Sequence, residues 1–242
     1  MRVVVTRPAH QGERTARRLN AMGHEAVLLP LSRPLHDAEA ARQALSLTAG
    51  AIVATSAEAI RTLAELGELV TPHRARPLFA VGKATAEEAA NIGFSRIFVS
   101  EGSGGELADM IADSLATIPN APLLYLTGSP RAAGFETRLA EFAVPLEIVE
   151  CYRMEDIQPD EGCLRQILFA DHVDAILFYS RQTALRFFNL TFTREHPDAL
   201  SRSRFLCLSD AIGETVPERL RAHIEIAAMP DEDSLLALLA RD

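Results

Sequence analysis

AIVATSAEAIRTL (residues 51–63) lies without gaps on AILFYSRQTALRF (175–187), a shift of 124 positions that superposes Ser56 on Ser180. Each stretch opens with a short β-rich apolar run, turns through small or polar residues, and continues with apolar positions at helical spacing. Working outward, FAVGKAT (79–85) overlays LCLSDAI (206–212), and VVVT (3–6) overlays LYLT (124–127), at shifts of 127 and 121. The chain is therefore a degenerate duplication with three modules in each copy. Ten apolar runs are read as strands: 3–5, 26–29, 51–54, 78–81, 97–99, 123–126, 146–149, 175–178, 205–208 and 224–227. Helical faces such as Leu107, Met110, Ile111 and Leu115, or Leu235, Leu236 and Leu239, alternate with them. Such alternation makes βα units wound into mostly parallel sheets, so the fold class is α/β, with two similar lobes of five strands each. Gly23, Gly67 and Gly93 stand where helix C-caps belong.

The duplication can be divided in two ways. A cut near Asn120 leaves two contiguous halves. Alternatively the first module packs with the last two, giving a discontinuous lobe of residues 1–34 plus 156–242 and an inserted lobe of 38–149. The connectors then run at about 30–38 and 149–159; both follow equivalent modules, contain proline and are extended in character. The discontinuous division is preferred.

The 242 residues carry 24 Lys+Arg against 33 Asp+Glu, a net charge of −9, and 48% are hydrophobic, a globular composition. A negative field gains nothing from counterion release on a polyphosphate, so nucleic-acid binding is not expected. No apolar run approaches the roughly 20 residues of a membrane span, and Thr6-Arg7-Pro8 stops the opening Val3-Val4-Val5 run before a signal-peptide core could form. A cytoplasmic chain is expected. Cys151, Cys163 and Cys207 are odd in number and form no CxxC pair, as suits reduced thiols.

Open parallel sheets bind ligands beyond the carboxyl ends of their strands, so the residues after each apolar run matter most. They are Thr6-Arg7, Thr55-Ser56, Gly82-Lys83, Ser100 to Gly105, Thr127-Gly128-Ser129, Tyr179-Ser180, Ser209-Asp210 and Met229-Pro230. Most open a helix, where free N–H groups and the positive dipole end accept an anion. The same Ser, Thr and Asp residues are equally read as N-caps, each worth about 1 kcal/mol. Arg7 differs: a cation at a helix start opposes the dipole, and a ligand anion gives it a reason to be there.

Other chemistries fail on their motifs. GSGGEL (102–107) has Leu107 where a dinucleotide fingerprint needs glycine, and GKAT (82–85) has Ala84 where a P-loop ends in Lys-Ser/Thr. The seven histidines show no ligand spacing, so no metal is expected, and no GxSxG elbow occurs. Tyr152 lies where the second connector begins; its phenol, protonated at neutral pH, could donate a proton to a leaving group. A tyrosine bridging an amphipathic strand is the structural alternative.

The ordered set VVVTRP (3–8), TSAEAI (55–60), AVGKATA (80–86), YLTG (125–128), VECYR (149–153) and LFYS (177–180) resembles the uroporphyrinogen-III synthase family over nearly the whole chain. The resemblance implies two flavodoxin-like lobes, one discontinuous and one inserted, joined by a two-stranded β linker. It also implies cofactor-free cyclisation of linear hydroxymethylbilane to uroporphyrinogen III, with loss of water and inversion of ring D, in heme biosynthesis. Such a substrate carries eight carboxylates, which suits a cleft lined by helix N-termini. Thr85 matches the threonine of the family's glycine turn and Tyr152 the tyrosine proposed as proton donor, and the resemblance makes these two the candidate catalytic residues. Thr6, Arg7, Ser56, Gly82, Lys83, Gly128, Ser180 and Ser209 are the substrate-binding positions expected on this reading. The second lobe departs from the family: Ser209 and Ile212 stand where relatives have a glycine turn with threonine, and Pro217 interrupts the following helix. A small-molecule tetrapyrrole is the expected partner, and a monomer the expected state.

Two other readings stay open at this point. A two-lobed protein that clamps a small anion without chemistry would share the architecture. A nucleotide-dependent transferase would need the glycine signatures that are missing.

Overall fold

All ten apolar runs form strands in the computed structural model, which describes residues 1–100, 102–170 and 172–240. The strands are β1 (Arg2–Val5), β2 (Glu25–Leu28), β3 (Ser32–His36), β4 (Ile52–Ala54), β5 (Leu78–Val81), β6 (Ile97–Ser100), β7 (Leu123–Ser129), β8 (Leu146–Asp156), β9 (Ala175–Phe178), β10 (Arg204–Cys207) and β11 (Ile224–Ile226). The helices are α1 (Ala9–Ala21), α2 (Ala38–Ala44), α3 (Ala57–Ala64), α4 (Lys83–Asn91), α5 (Gly104–Ser114), α6 (Gly134–Ala140), α7 (Glu161–Arg165), α8 (Arg181–Asn189), α9 (Thr191–Glu195), α10 (Asp210–Gly213) and α11 (Glu232–Ala237). Position 101, inside the expected Ser100 to Gly105 turn, lies outside the described residues. Among those described, no helix is long and apolar enough to cross a membrane.

One sheet has the order β11-β10-β9-β1-β2 and the other β3-β8-β7-β4-β5-β6. Every βα-connected pair is parallel, with β1 flanked by β2 and β9, and β4 by β5 and β7. The repeat sets β1 against β7, β4 against β9 and β5 against β10. On that correspondence β11-β10-β9-β1-β2 and β6-β5-β4-β7-β8 are the same sheet, position for position. The first has the flavodoxin-like order; the second is its circular permutant, because its β7-β8 module comes last in the chain and not first.

Five strands per lobe was the expectation, and the second sheet has six. The sixth is β3, which the sequence shows only as part of an extended connector. Asp37 N–H donates to the Cys151 carbonyl at 2.8 Å and Ile157 N–H to the Leu31 carbonyl at 3.0 Å, so β3 runs antiparallel to β8. Pro34 breaks the apolar alternation a strand would show, and it is tolerated because β3 is an edge and needs no inward N–H there.

By internal packing the chain separates into two units, Met1–Arg33 with Glu155–Asp242, and Pro34–Met154. Each sheet is buried on both faces, which is why its strands read as unbroken apolar runs. In the first unit Val3 and Val5 pack with Leu177, Leu206, Leu235 and Leu239, while Val4 packs on the opposite face with Ile176, Phe178, Phe187 and Phe205. In the second, Ile52 and Ala54 meet Ile60, Leu63 and Leu126, and Val53 meets Phe79, Leu107, Ile111 and Tyr125. Each such side chain contributes about 1.5–3 kcal/mol of burial. These layers hold the strand ends still. Chain order reverses between β1 and β9 in one sheet and between β4 and β7 in the other. The crevices at those two switch points are where ligands bind in open α/β sheets.

Candidate active site

In the Pro34–Met154 unit the switch point gathers Ser56, Gly128 and Tyr152. Pairing of β7 with β8 jumps from Thr127–Glu150 to Gly128–Tyr152, leaving Cys151 as the extra residue of a bulge. A bulge re-aims the side chain that follows it. Here it lays the Tyr152 ring on Gly128, so closely that a Cβ at 128 would stand 2.2 Å from Tyr152 Cζ. Ser56, which caps α3 by accepting from Glu58 N–H at 3.2 Å, stands beside the Tyr152 phenol. Burial pushes that phenol above its ordinary value; the neighbouring Ser56 pulls it back only in part, and Glu58 adds to the rise. The hydroxyl therefore holds its proton at neutral pH.

Beneath Ser56, the buried Glu58 faces His36 Nε2 at 3.1 Å and is held by Arg61, which reaches on to Glu88 at 2.6 Å. The other ring nitrogen of His36 faces Glu65. This network ties α3 to β3 and α4. Its helical part, Glu58, Arg61 and Glu65 at three- and four-residue spacing, was readable in the sequence; His36 was not, because nothing local links it to α3. Tyr152 and His36 line one side of a cavity of about 660 Å³, with Leu35, Ser129, Glu150 and Arg153.

The glycine turn of the same unit is partly committed. Gly82 has φ +77°, a backbone that favours glycine, and its N–H donates to the Ser100 carbonyl at 2.8 Å. Lys83 is exposed, whereas Thr85 is buried in the first turn of α4.

The first unit's switch point is filled from within. Thr6 is fully buried and donates its hydroxyl to the Leu177 carbonyl at 2.8 Å, so the hydrogen is not offered to a ligand. Arg7 has its anion, and the chain supplies it: Nη1 lies 3.0 Å from Glu232, in the first turn of α11, and the guanidinium sits 4.1 Å over the Tyr179 ring. Glu232 also accepts from Thr15 at 2.6 Å, Tyr179 at 2.9 Å and Arg18 at 3.0 Å. Burial alone would raise the Glu232 carboxyl; the hydroxyl donors and the two arginines more than reverse this and hold it below the usual range. Burial and the neighbouring carboxylate push the Tyr179 phenol up. Ligand binding was the reason assigned to Arg7 from sequence. The partner lies 225 residues away, beyond any spacing argument.

Ser180 is an N-cap, accepting from Thr183 N–H at 3.1 Å. Ser209 stands at the same place on the adjacent strand end and is only half-buried, with no capping bond from its hydroxyl. Among the described residues no three His, Cys, Asp or Glu side chains converge as a metal site would need. Cys151 and Cys207 are pushed up to about 11 and about 12 by burial, which makes them inert thiols.

The architecture is similar to that of solved proteins. A uroporphyrinogen-III synthetase from Helicobacter pylori 26695 aligns over 99% of this chain and 99% of its own, with TM-score 0.63 and 14% identity. A mutant uroporphyrinogen III synthase from the extremely thermophilic bacterium Thermus thermophilus aligns over 100% of this chain and 98% of its own, with TM-score 0.55 and 18% identity. At such identities the likeness speaks for the fold. No curated protein sequence matches significantly. A model of the family described as uroporphyrinogen-III synthase HemD matches residues 13–237, nearly the whole chain, and the chain therefore belongs to the uroporphyrinogen-III synthase family.

Proposed function

We propose that the cavity beside Tyr152 is where this chain begins the reaction of its family. That reaction cyclises hydroxymethylbilane to uroporphyrinogen III in heme biosynthesis, with loss of water and inversion of ring D. The observation that carries the proposal is a protonated phenol whose ring is seated on Gly128, beside Ser56, at the wall of a cavity of small-molecule size.

Tyr152 gives its proton to the departing hydroxyl. The carbon–oxygen bond breaks, water leaves, and a conjugated azafulvene cation remains on the terminal pyrrole. The substituted α-carbon of ring D attacks it to form a spiro intermediate, the bond from that carbon to its original bridging methylene breaks and leaves a second azafulvene cation there, and closure onto this methylene by the other α-carbon of ring D sheds the proton that restores Tyr152. Holding the flexible chain so that simple head-to-tail closure is excluded is a matter of positioning. For this the unit offers the N-terminus of α3 at Ser56, the backbone of Gly128 and the exposed Lys83. Gly82 shapes its turn, and Thr85 acts from within α4 on the position of that turn. We also read the chain as a cytoplasmic monomer working without a cofactor; its three cysteines are unpaired, as in a reducing compartment.

The test is to incubate the protein with hydroxymethylbilane and resolve type I from type III uroporphyrinogen. Tyr152→Phe should lower type III formation by about 10²–10⁴-fold, the usual contribution of a general acid. An undiminished rate removes Tyr152 from the mechanism, and a protein that binds the substrate without raising type III product is a clamp and no enzyme.

A further inference from the structure

Four residues lining the cavity beside Tyr152 have ionisable side chains: His36, Asp37, Glu150 and Arg153. Three are already engaged inside the Pro34–Met154 unit. His36 faces Glu58 and Glu65, Asp37 accepts from Ala40 N–H at 2.8 Å as the cap of α2, and Glu150 accepts from Arg131. Arg153 is exposed, and among the described residues no hydrogen bond or ion pair holds it. Its backbone is nonetheless fixed: Arg153 pairs with Ser129 in the ladder, one step beyond the Gly128–Tyr152 pair that seats the phenol. A guanidinium that no acid holds thus hangs from a rigid strand at the rim of the cavity that Tyr152 also lines, while the acidic groups there are each engaged by donors of the same unit.

We propose that Arg153 binds a carboxylate of the tetrapyrrole, as a specificity-determining contact that sets which pyrrole ring lies against Tyr152. The substrate's acetate and propionate side chains are the right partners for a planar fork of N–H donors, which takes a carboxylate through two parallel hydrogen bonds. Lysine offers the charge without the fork, so the two parts of the interaction can be separated. The proposal rests on reading the Tyr152 cavity as the reaction site.

Arg153→Gln and Arg153→Lys, with Tyr152→Phe in parallel, are assayed for initial rate against hydroxymethylbilane concentration and for the ratio of type III to type I product. Melting curves confirm that each variant folds. Arg153→Gln should raise KM about tenfold with kcat within threefold, flatten the dependence of KM on salt, and raise the share of type I product; Arg153→Lys should recover the salt dependence but not the product ratio. An Arg153→Gln enzyme with KM, salt dependence and product ratio all unchanged overturns the proposal. If Tyr152→Phe is impaired in that case, the reaction site stands and only the role of Arg153 falls. If Tyr152→Phe is fully active while Arg153→Gln shows the KM effect, the carboxylate contact stands and the proton donor is another group.

Discussion

The two switch points are built from the same repeat and end in opposite states. The shift of 121 that lays VVVT on LYLT also lays Arg7 on Gly128, and the shift of 124 lays Tyr179-Ser180 on Thr55-Ser56. Both serines cap the helix that follows. At position 128 the missing side chain admits the Tyr152 ring, and the phenol faces a cavity. At position 7 an arginine occupies the equivalent ground, stacks on Tyr179 and recruits Glu232. One residue, glycine or arginine, separates a crevice whose polar groups face outward from one whose polar groups satisfy each other.

The sharpest way to break this contrast is to take the space away. Gly128→Ala puts a Cβ where the Tyr152 ring now lies, and that ring is aimed there by the bulge, beside Ser56. Displacement of the phenol by about 1 Å should cost roughly 100-fold in type III formation. Overpacking adds about 1–3 kcal/mol of destabilisation, which a chemical melt would show separately. Near-normal turnover in a destabilised Gly128→Ala protein would mean that ring placement does not govern the rate.

The filled switch point should fail differently, in stability before chemistry. Glu232→Gln leaves Arg7 without its counter-charge and Arg18 with Asp233 alone, while nearly keeping the side-chain shape. With this group about a quarter exposed, the loss should be about 2 kcal/mol at pH 7, less than for a fully buried pair. Because the folded carboxyl is held below its ordinary value of 4.5, its contribution is complete above that pH and fades as pH falls through the lowered folded value. Wild type and Glu232→Gln should therefore differ most near neutrality and converge in acid. Parallel stability curves across that range would show that the carboxylate charge is not what holds the cluster together.

How much of this was legible in the chain follows from the range of each interaction. The strands announced themselves because sheets covered on both faces need continuous apolar runs, and Ser180 announced its cap because capping is local. β3 stayed hidden because an edge strand holding Pro34 loses the strand pattern and gains stability only from its partner β8. Arg7 was read as waiting for a ligand anion, whereas the anion beside it is Glu232 from the far end of the chain, and the same distance hid the Thr15–Tyr179–Glu232 contacts. Tyr152 was found by resemblance and by its place at a connector; the bulge that aims it and the glycine that receives its ring emerge only from strand pairing.

The smallest effect separates capping from ligand binding at two serines that occupy matching strand ends. Ser180 holds Thr183 N–H at 3.1 Å and donates to the Thr183 hydroxyl at 2.9 Å, at the start of the nine-residue α8. Ser180→Ala should cost about 1 kcal/mol, the ordinary value of an N-cap. Ser209 precedes a helix of only four residues and caps nothing through its side chain, so Ser209→Ala should change stability by less than about 0.5 kcal/mol. Paired melts measure both. A half-buried hydroxyl at a strand end that does nothing for the fold is free to serve the substrate, and Ser209→Ala should then raise KM for hydroxymethylbilane with the melt unmoved. Equal destabilisation by the two substitutions would return Ser209 to the ordinary role of its counterpart, whose oxygen accepts from the backbone of its own helix while its hydrogen goes to a neighbouring side chain.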